Sequence, residues 1–525
     1  MYAFCPVPVS EVYPNSANDF GELKTVLGSL NLHSTLALCS RLNVRLATIE
    51  QQLNQDDLIR SFFDEDQQRC IYQYFESIDT GQRGAVFHRG QLLELVRWVC
   101  LYCENQETNT FEAFDEKQKF AHAALIANEL WSNRVYRPWL TNGNIHITRE
   151  NSLGPLRQAT GDASPQIDML RAFGRGKVLF GDLFSHHYPN FENEFRGVTN
   201  LSIRDYYTLL FAIRALLEQT IETGQHFPIN TATLKSAMPH LTDAVEAFIS
   251  SEAQTPEELK YSLWNGIRDI NAPEEAPTFD LKPLRNKPIL RLSSDQIVVL
   301  DIALFTDKAS VGPLFHLLRQ NLRRNQGREI FSAFGYAFEE YACEILKRMY
   351  PASPSGLFDR FMCDYSGIAS DGNRVQITDA ILDDVNQTAL FEMKAKWIRD
   401  DRLLSENPDE YIRHITSQYS NEQPRLQLAT SIAKLEAGEW VPENGRVPST
   451  RIYPILLCYD SLLNALGYSW MFAEAFKAGL QPDHAPEVGD MEKGRYRVTP
   501  MILMTIDVLE DLEASVKNFN LCTLL

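Results

Sequence analysis

The sequence has no excess of positive charge. Its 525 residues carry 50 Lys+Arg against 69 Asp+Glu, a formal net charge of −19. A histone-like or ribosomal coat of cations is thereby excluded, and any nucleic-acid contact has to use a local basic patch against the field of the whole molecule. Long apolar runs are also missing. The stretch around Ile452–Tyr459 is far short of the roughly 20 residues that cross a bilayer, so no membrane segment is expected. The opening MYAFCPVPVSEVYP has neither a basic n-region nor a sustained apolar h-region, and no secretory leader is expected. The 9 cysteines are an odd number without disulfide-framework spacing, which points to a reducing, cytoplasmic setting. There is no internal repeat and no low-complexity tract. At 44% hydrophobic and 23% charged residues, the composition excludes a wholly disordered chain. The length suggests two large domains or three smaller ones.

Residues 1–270 read as mostly helical. Phe120, Ala123, Ala124, Ala127, Leu130 and Trp131 recur at spacings of three and four, a core-facing stripe. Helical patterns return over Ile203–Gln219 and Thr255–Ile270. Four prolines between Asn271 and Pro288 mark a linker. Ile289–Leu292 and Ile297–Leu300 then read as a hairpin leading into a helix from about Val311. From Glu329 onward helix and strand alternate. The expected division is a helical region at 1–270, a connector at 271–328 and an α/β (α+β) domain at 329–525.

Several motifs fail on spacing. Asp79, Gly81, Arg83 and Gly90 stand where a calcium loop needs oxygens, and only the first is a ligand. Gly174-Arg175-Gly176-Lys177 lacks the phosphate-loop spacing and reads as a surface turn. Cys100 and Cys103 have no second pair to complete a zinc site and read as core thiols. His186-His187 reads as structural.

One stretch combines residues that can carry chemistry. Val375, Ile377, Asp379 and Ile381 share one face of a strand, and Glu392, Lys394 and Lys396 share a face of the next. If Asp384–Gln387 make the turn between them, Asp379 falls opposite Glu392. Facing Cβ atoms would be about 4.5–5.5 Å apart, a distance at which like charges destabilise unless a cation sits between them. Upstream, Phe331, Phe334, Phe338, Tyr341, Ala342, Ile345, Leu346 and Met349 form an apolar helical stripe. Glu339 flanks it, whereas Glu340 lies on nearly the opposite side.

Gly335-Tyr-Ala-Phe-Glu339 on a helix, Asp379 on a strand and Glu392-x-Lys394 on the next resemble the PD-(D/E)XK, restriction-endonuclease-like nuclease superfamily. The resemblance covers about residues 330–460, with Thr378 in place of the motif's proline. It implies a metal-dependent endonuclease, a hydrolase of phosphodiester bonds. Asp379, Glu392 and the Met393 carbonyl would hold Mg²⁺ or Mn²⁺, with Glu339 able to contribute to a second ion. Lys394 would orient the attacking water, and Gln427 falls where such nucleases often carry another polar site residue. Arg319, Arg323, Arg324 and Arg328, with His316 nearby, and Lys396, Arg399 and Arg402 form the candidate nucleic-acid grip. DNA is the expected substrate, RNA or tRNA the alternative. A third reading is a binding protein that keeps the fold without turnover. By analogy with prokaryotic antiviral nucleases, residues 1–270 would sense a trigger or bind a protein partner. Homo-oligomerisation stays open.

Overall fold

The computed structural model describes residues 3–46, 55–78, 82–104, 114–136, 140–141, 144–145, 169–223, 228–265, 281–321, 326–351, 360–384, 386–396, 424–443, 445–460, 468–480, 491–493 and 496–515. The chain is mixed α/β and divides into two compact units. The first comprises Met1–Lys177 and Glu192–Gln320, the second Val178–Phe191 and Asn321–Leu525. Among the described residues, no helix is long and apolar enough to cross a membrane.

In the first unit α1 (Leu32–Arg45) and α3 (Phe114–Tyr136) both pack on α2 (Arg89–Tyr102). Of the expected stripe of α3, Phe120, Ala123, Ala124 and Ala127 are at most 1% exposed, but Ala121, Leu125 and Ile126 outside it are as fully buried. The α2 helix is buried almost all round, so Cys100 and Cys103 lie in the core as free thiols. Burial raises both, Cys103 to about 12, far from the thiolate that a metal needs.

The helices α4 (Ile203–Thr223) and α5 (Thr242–Glu252) accompany a small sheet of β1 (Ile229–Asn230), β2 (Ala253–Gln254), β3 (Ile289–Arg291) and β4 (Gln296–Val299), ordered β1-β4-β3-β2. The expected hairpin is β3–β4. It belongs to the first unit because its two edges pair with strands from 229–254. The helix after it, α6 (Ile302–Asn321), starts well before Val311. Asp301 sets that start, since its Oδ1 accepts from Leu304 N at 2.7 Å while its carboxylate takes the Arg89 guanidinium at 2.6 and 3.1 Å. The segment expected as a surface turn, Gly174–Lys177, is instead helical, with Arg175 and Gly176 buried. A Cβ at Gly176 would collide with the Ala309 carbonyl, so only glycine permits that approach.

The second unit follows α7 (Gly327–Met349) with three antiparallel strands, β5 (Phe361–Ala369), β6 (Arg374–Asp384) and β7 (Gln387–Lys394). Then come α8 (Pro424–Glu436), β8 (Trp440–Pro442), β9 (Arg451–Cys458), α9 (Tyr468–Leu480), β10 (Met491–Lys493), β11 (Tyr496–Val498), β12 (Ile502–Thr505) and α10 (Ile506–Ser515). The described strands form one mixed sheet in the order β8-β5-β6-β7-β9-β11-β10, with β12 also paired to β9. β9 joins β7 in parallel, a pairing that requires a crossover, and α8 lies on that route. Every residue of Thr388–Met393 is buried, so this central strand is covered on both faces. Both α7 and α8 pack on it. The apolar stripe of α7 is as expected except that Phe331 is 43% exposed and Ile330 takes the core position. Against the expectation of unpaired thiols, Cys343 on α7 forms a disulfide with Cys363 on β5; the fold brings their Cα atoms to 6.3 Å.

A buried charged cluster ties the first unit's elements together. The Glu252 carboxylate, fully buried at the end of α5, takes Lys308 Nζ at 2.8 Å, His316 Nε2 at 2.5 Å and the Tyr206 hydroxyl at 2.7 Å. Burial alone would raise the Glu252 carboxyl, but Lys308 and His316 outweigh it and hold it below the usual carboxylate range. Removing one member of such a cluster strands the others without compensation. Glu252→Ala is therefore expected to cost about 3–5 kcal/mol in denaturant unfolding of the first unit. A loss below about 1 kcal/mol would show that the cluster is not a fastener.

Candidate active site

The β6–β7 hairpin sets the site. Its register runs from Ala380 opposite Phe391 to Asp384 opposite Gln387, so the turn is tighter than a four-residue loop while the expected alignment holds. One step beyond Ala380, Asp379 bends into its neighbours. Its Oδ2 accepts from Met393 N at 2.6 Å and its Oδ1 from the Gln376 amide at 3.0 Å. A register shift in the β5–β6 pairing at Gln376/Thr378 accompanies this departure.

Glu392 is fully buried at the floor of the site, and Asp379 is 7% exposed. The Lys394 ammonium pairs with Glu392 Oε1 and lies 3.9 Å from Asp379 Oδ2. Glu392 Oε2 is buried without a hydrogen-bond partner. The lysine thus stands at the carboxylates, where the sequence suggested a divalent cation. Glu339, half-buried on α7, interacts electrostatically with Asp379 and Lys394. Burial, then the Asp379 charge, pushes the Glu339 carboxyl up to about 7 against the relief offered by Lys394. Burial raises Glu392 to about 8, although Lys394 opposes the shift. Asp379 is raised by the same cause. Lys394 is raised too: burial disfavours its charge, and Glu392 and Asp379 outweigh that effect.

The remaining candidates are scattered. Gln427 is partly buried on α8. The Met393 backbone is committed through its N–H to Asp379. Lys396 is exposed just beyond β7, near enough to Lys394 that burial and the neighbouring ammonium lower its pKa. Arg328 is exposed at the start of α7. Arg319 belongs to the first unit and donates to Asn286 Oδ1 at 2.7 Å. His316 is buried against Glu252 and cannot grip a polyanion. Arg323, Arg324, Arg399 and Arg402 lie outside the described residues. The His pair does find a partner, since His187 Nε2 meets Glu340 Oε2 at 2.9 Å, on a different side of α7 from the site, as the helical phase implied.

Two residues escaped the sequence reading. Gln376 orients Asp379 through the amide bond already described. Asp364 on β5 is bracketed by the pairs Tyr365–Thr378 and Cys363–Ala380, which puts it across from Asp379, and its charge bears on both Asp379 and Glu339. Its φ of +51° departs from the extended conformation within the continuous strand, and an aspartate in a β pattern gives no sequence signal of that.

Among the described residues, no three His, Cys, Asp or Glu side chains are gathered as a ready metal-ligand group. Two carboxylates, a carbonyl and water are nevertheless a sufficient donor set for Mg²⁺. The partnerless Glu392 oxygen is the observation that fits a cation here. Comparison of the chain with protein-family models, curated proteins and solved structures gives no match.

The raised carboxyls link stability to pH. Folding retains protons on Glu339 and Glu392 between the ordinary value of 4.5 and about 7 and 8 respectively, so their contribution falls as pH rises through that window. Melting curves in chelator at pH 5.5 and pH 8.5 check this. Glu392→Gln should melt increasingly above the wild type as pH rises, and a pH-independent difference would refute the shift.

Proposed function

We propose that the C-terminal unit is a metal-dependent endonuclease of the PD-(D/E)XK kind, acting on DNA. The observation that supports it most is the hairpin register, which brings Asp379, Glu392 and Lys394 together beside Glu339. Asp379 and Glu392, with the Met393 carbonyl, would hold Mg²⁺ or Mn²⁺. When bound, the ion supplies Lewis acidity toward the phosphate and acidifies a water.

The chain's own groups do the rest. Lys394 offsets the anionic charge that builds as water oxygen bonds to phosphorus and the P–O bond to the leaving oxygen breaks. Glu339, poised near neutrality, can take the water's proton. Solvent returns a proton to the leaving oxygen. Burial of Glu392 and Asp379 strengthens each of these charge interactions relative to water.

Prokaryotic antiviral defence, with the first unit sensing a trigger or a protein partner, is the biological setting carried over from the resemblance. The catalytic groups act on the phosphodiester alone, so RNA is the competing substrate. The test incubates the full chain with Mg²⁺ or Mn²⁺ and separate duplex DNA, single-stranded DNA, tRNA and total RNA. Cleavage of DNA is expected to fall by about 10²–10⁴-fold in Lys394→Ala and to vanish in Asp379→Ala and in chelator. Cleavage confined to RNA would reassign the substrate. Metal-independent cleavage, or cleavage that survives Asp379→Ala, would remove the reading.

A further inference from the structure

We propose that the Cys343–Cys363 disulfide is a redox-sensitive clasp on the candidate site, opened by a small-molecule thiol and closed by a small-molecule disulfide. The bond joins α7 to β5. Cys343 lies one turn beyond Glu339 along the helix and on nearly the same face. Cys363 pairs across the sheet with Ala380, the residue after Asp379. The clasp therefore holds the helix carrying Glu339 to the strand beside the one carrying Asp379. Its effect on cleavage rests on the nuclease reading, whereas the thiol chemistry does not.

The other thiols set this bond apart from a structural framework. Among the described residues, Cys39, Cys70, Cys100, Cys103 and Cys458 are free. Cys39, Cys100 and Cys103 share one core, near enough that the latter two act electrostatically on Cys39, and still they are unbonded. A chain matured around disulfides rarely leaves neighbouring thiols unpaired, whereas a bond standing amid free thiols is characteristic of redox-responsive pairs. Access agrees with this. Cys343 is 7% exposed, but Cys363 is only half-buried, so an exchanging thiol can reach its sulfur.

Opening takes two exchanges. A reductant thiol gives its proton to water, and its thiolate attacks the Cys363 sulfur. A mixed disulfide forms, and Cys343 leaves as a thiolate that is protonated by water. A second reductant thiolate attacks the reductant's own sulfur in the mixed disulfide and releases Cys363, which is protonated in turn. Two electrons thus enter the protein while two small thiols become one small disulfide, and closing is the reverse. With the clasp open, α7 keeps other anchors: the Tyr341 hydroxyl donates to Glu510 at 2.7 Å and Arg348 Nε to Glu513 at 2.6 Å. The repulsion between Asp379 and Glu339 then has no covalent link to resist it. The site loosens while the fold persists.

The test equilibrates the wild-type full chain, under native conditions, in glutathione buffers of graded ratio. Labelling with a maleimide and peptide mass mapping report the state of Cys343 and Cys363, and DNA cleavage with Mg²⁺ is measured on the same samples. Excess reduced glutathione is expected to free both thiols and to lower cleavage at least about tenfold, the scale of loss when a catalytic group is misplaced. Oxidised glutathione should restore both bond and rate, and the circular-dichroism spectrum should stay unchanged throughout. Cys363→Ser should cleave at the reduced rate in every buffer, as should Cys343→Ala. A bond that survives excess reduced glutathione is structural and overturns the inference, as does loss of the spectrum on reduction. A bond that opens without changing cleavage, or a Cys363→Ser variant that keeps the oxidised rate, overturns it and leaves the nuclease reading in place. A chain that cleaves nothing with the bond either closed or open removes the nuclease reading and the clasp's control with it.

Discussion

The second unit depends on one electrostatic compromise, the burial of Glu392 on the central strand. A carboxylate at full burial costs several kcal/mol unless it is paired or protonated. Here Lys394, two residues along the same strand and hence on the same face, supplies a partner to one oxygen. The Glu392 and Glu339 carboxyls stay raised despite that ammonium, by burial first and by neighbouring acids second. A strand covered on both faces would ordinarily carry apolar residues throughout. Retaining Glu392 there costs stability, a pattern more usual at functional than at structural positions.

The surrounding architecture serves that position. The β6–β7 turn fixes the register, and a slip of one residue would carry Glu392 and Lys394 to the opposite face. Asp379 leaves the regular ladder and takes the Met393 N–H, so a main-chain donor and the Gln376 amide hold its orientation. On the far side of β7, pairing with β9 continues to Lys394 opposite Cys458, and Tyr459 N donates to the Lys394 carbonyl at 3.1 Å. The backbone under the lysine is therefore held from a second strand. Phe334 and Phe338 of α7 pack edge-on against the Tyr459 ring, at 5.1 and 5.5 Å, which couples the helix carrying Glu339 to the same point.

How much of this was legible in the sequence follows from the range of the interactions. The hairpin register was readable because Asp383, Asp384 and Asn386 punctuate two alternating runs, and turn chemistry is local. The phase of Glu339 against Glu340 was readable from the apolar stripe alone. The domain division was not. Residues 178–191 are separated from the second unit by more than a hundred residues, yet Phe180 and Phe184 pack on Phe334 of α7. Nothing local announces such a return of the chain. His316 was misassigned to a basic surface for a related reason. Its partner Glu252 is 64 residues away, and only the tertiary fold buries the two together. Asp364 was invisible because its place across from Asp379 depends on a positive φ and on strand pairing, neither of which has a spacing signature.

The overall charge of −19 acquires a local counterpart at the site. Glu339, Asp364, Asp379 and Glu392 in ionised form carry −4 against +1 from Lys394, a balance of −3 before any phosphate arrives. A phosphodiester approaching that centre would meet repulsion in a region where burial limits screening. Two remedies are open to the chain, namely protons, held near neutrality by Glu339 and Glu392, or bound cations. Protons neutralise the acids but leave Lys394 alone to stabilise charge growing on the phosphate. Divalent cations do both, and under the nuclease reading the acidity that argues against a nucleic-acid enzyme in the composition becomes a requirement for one in the site.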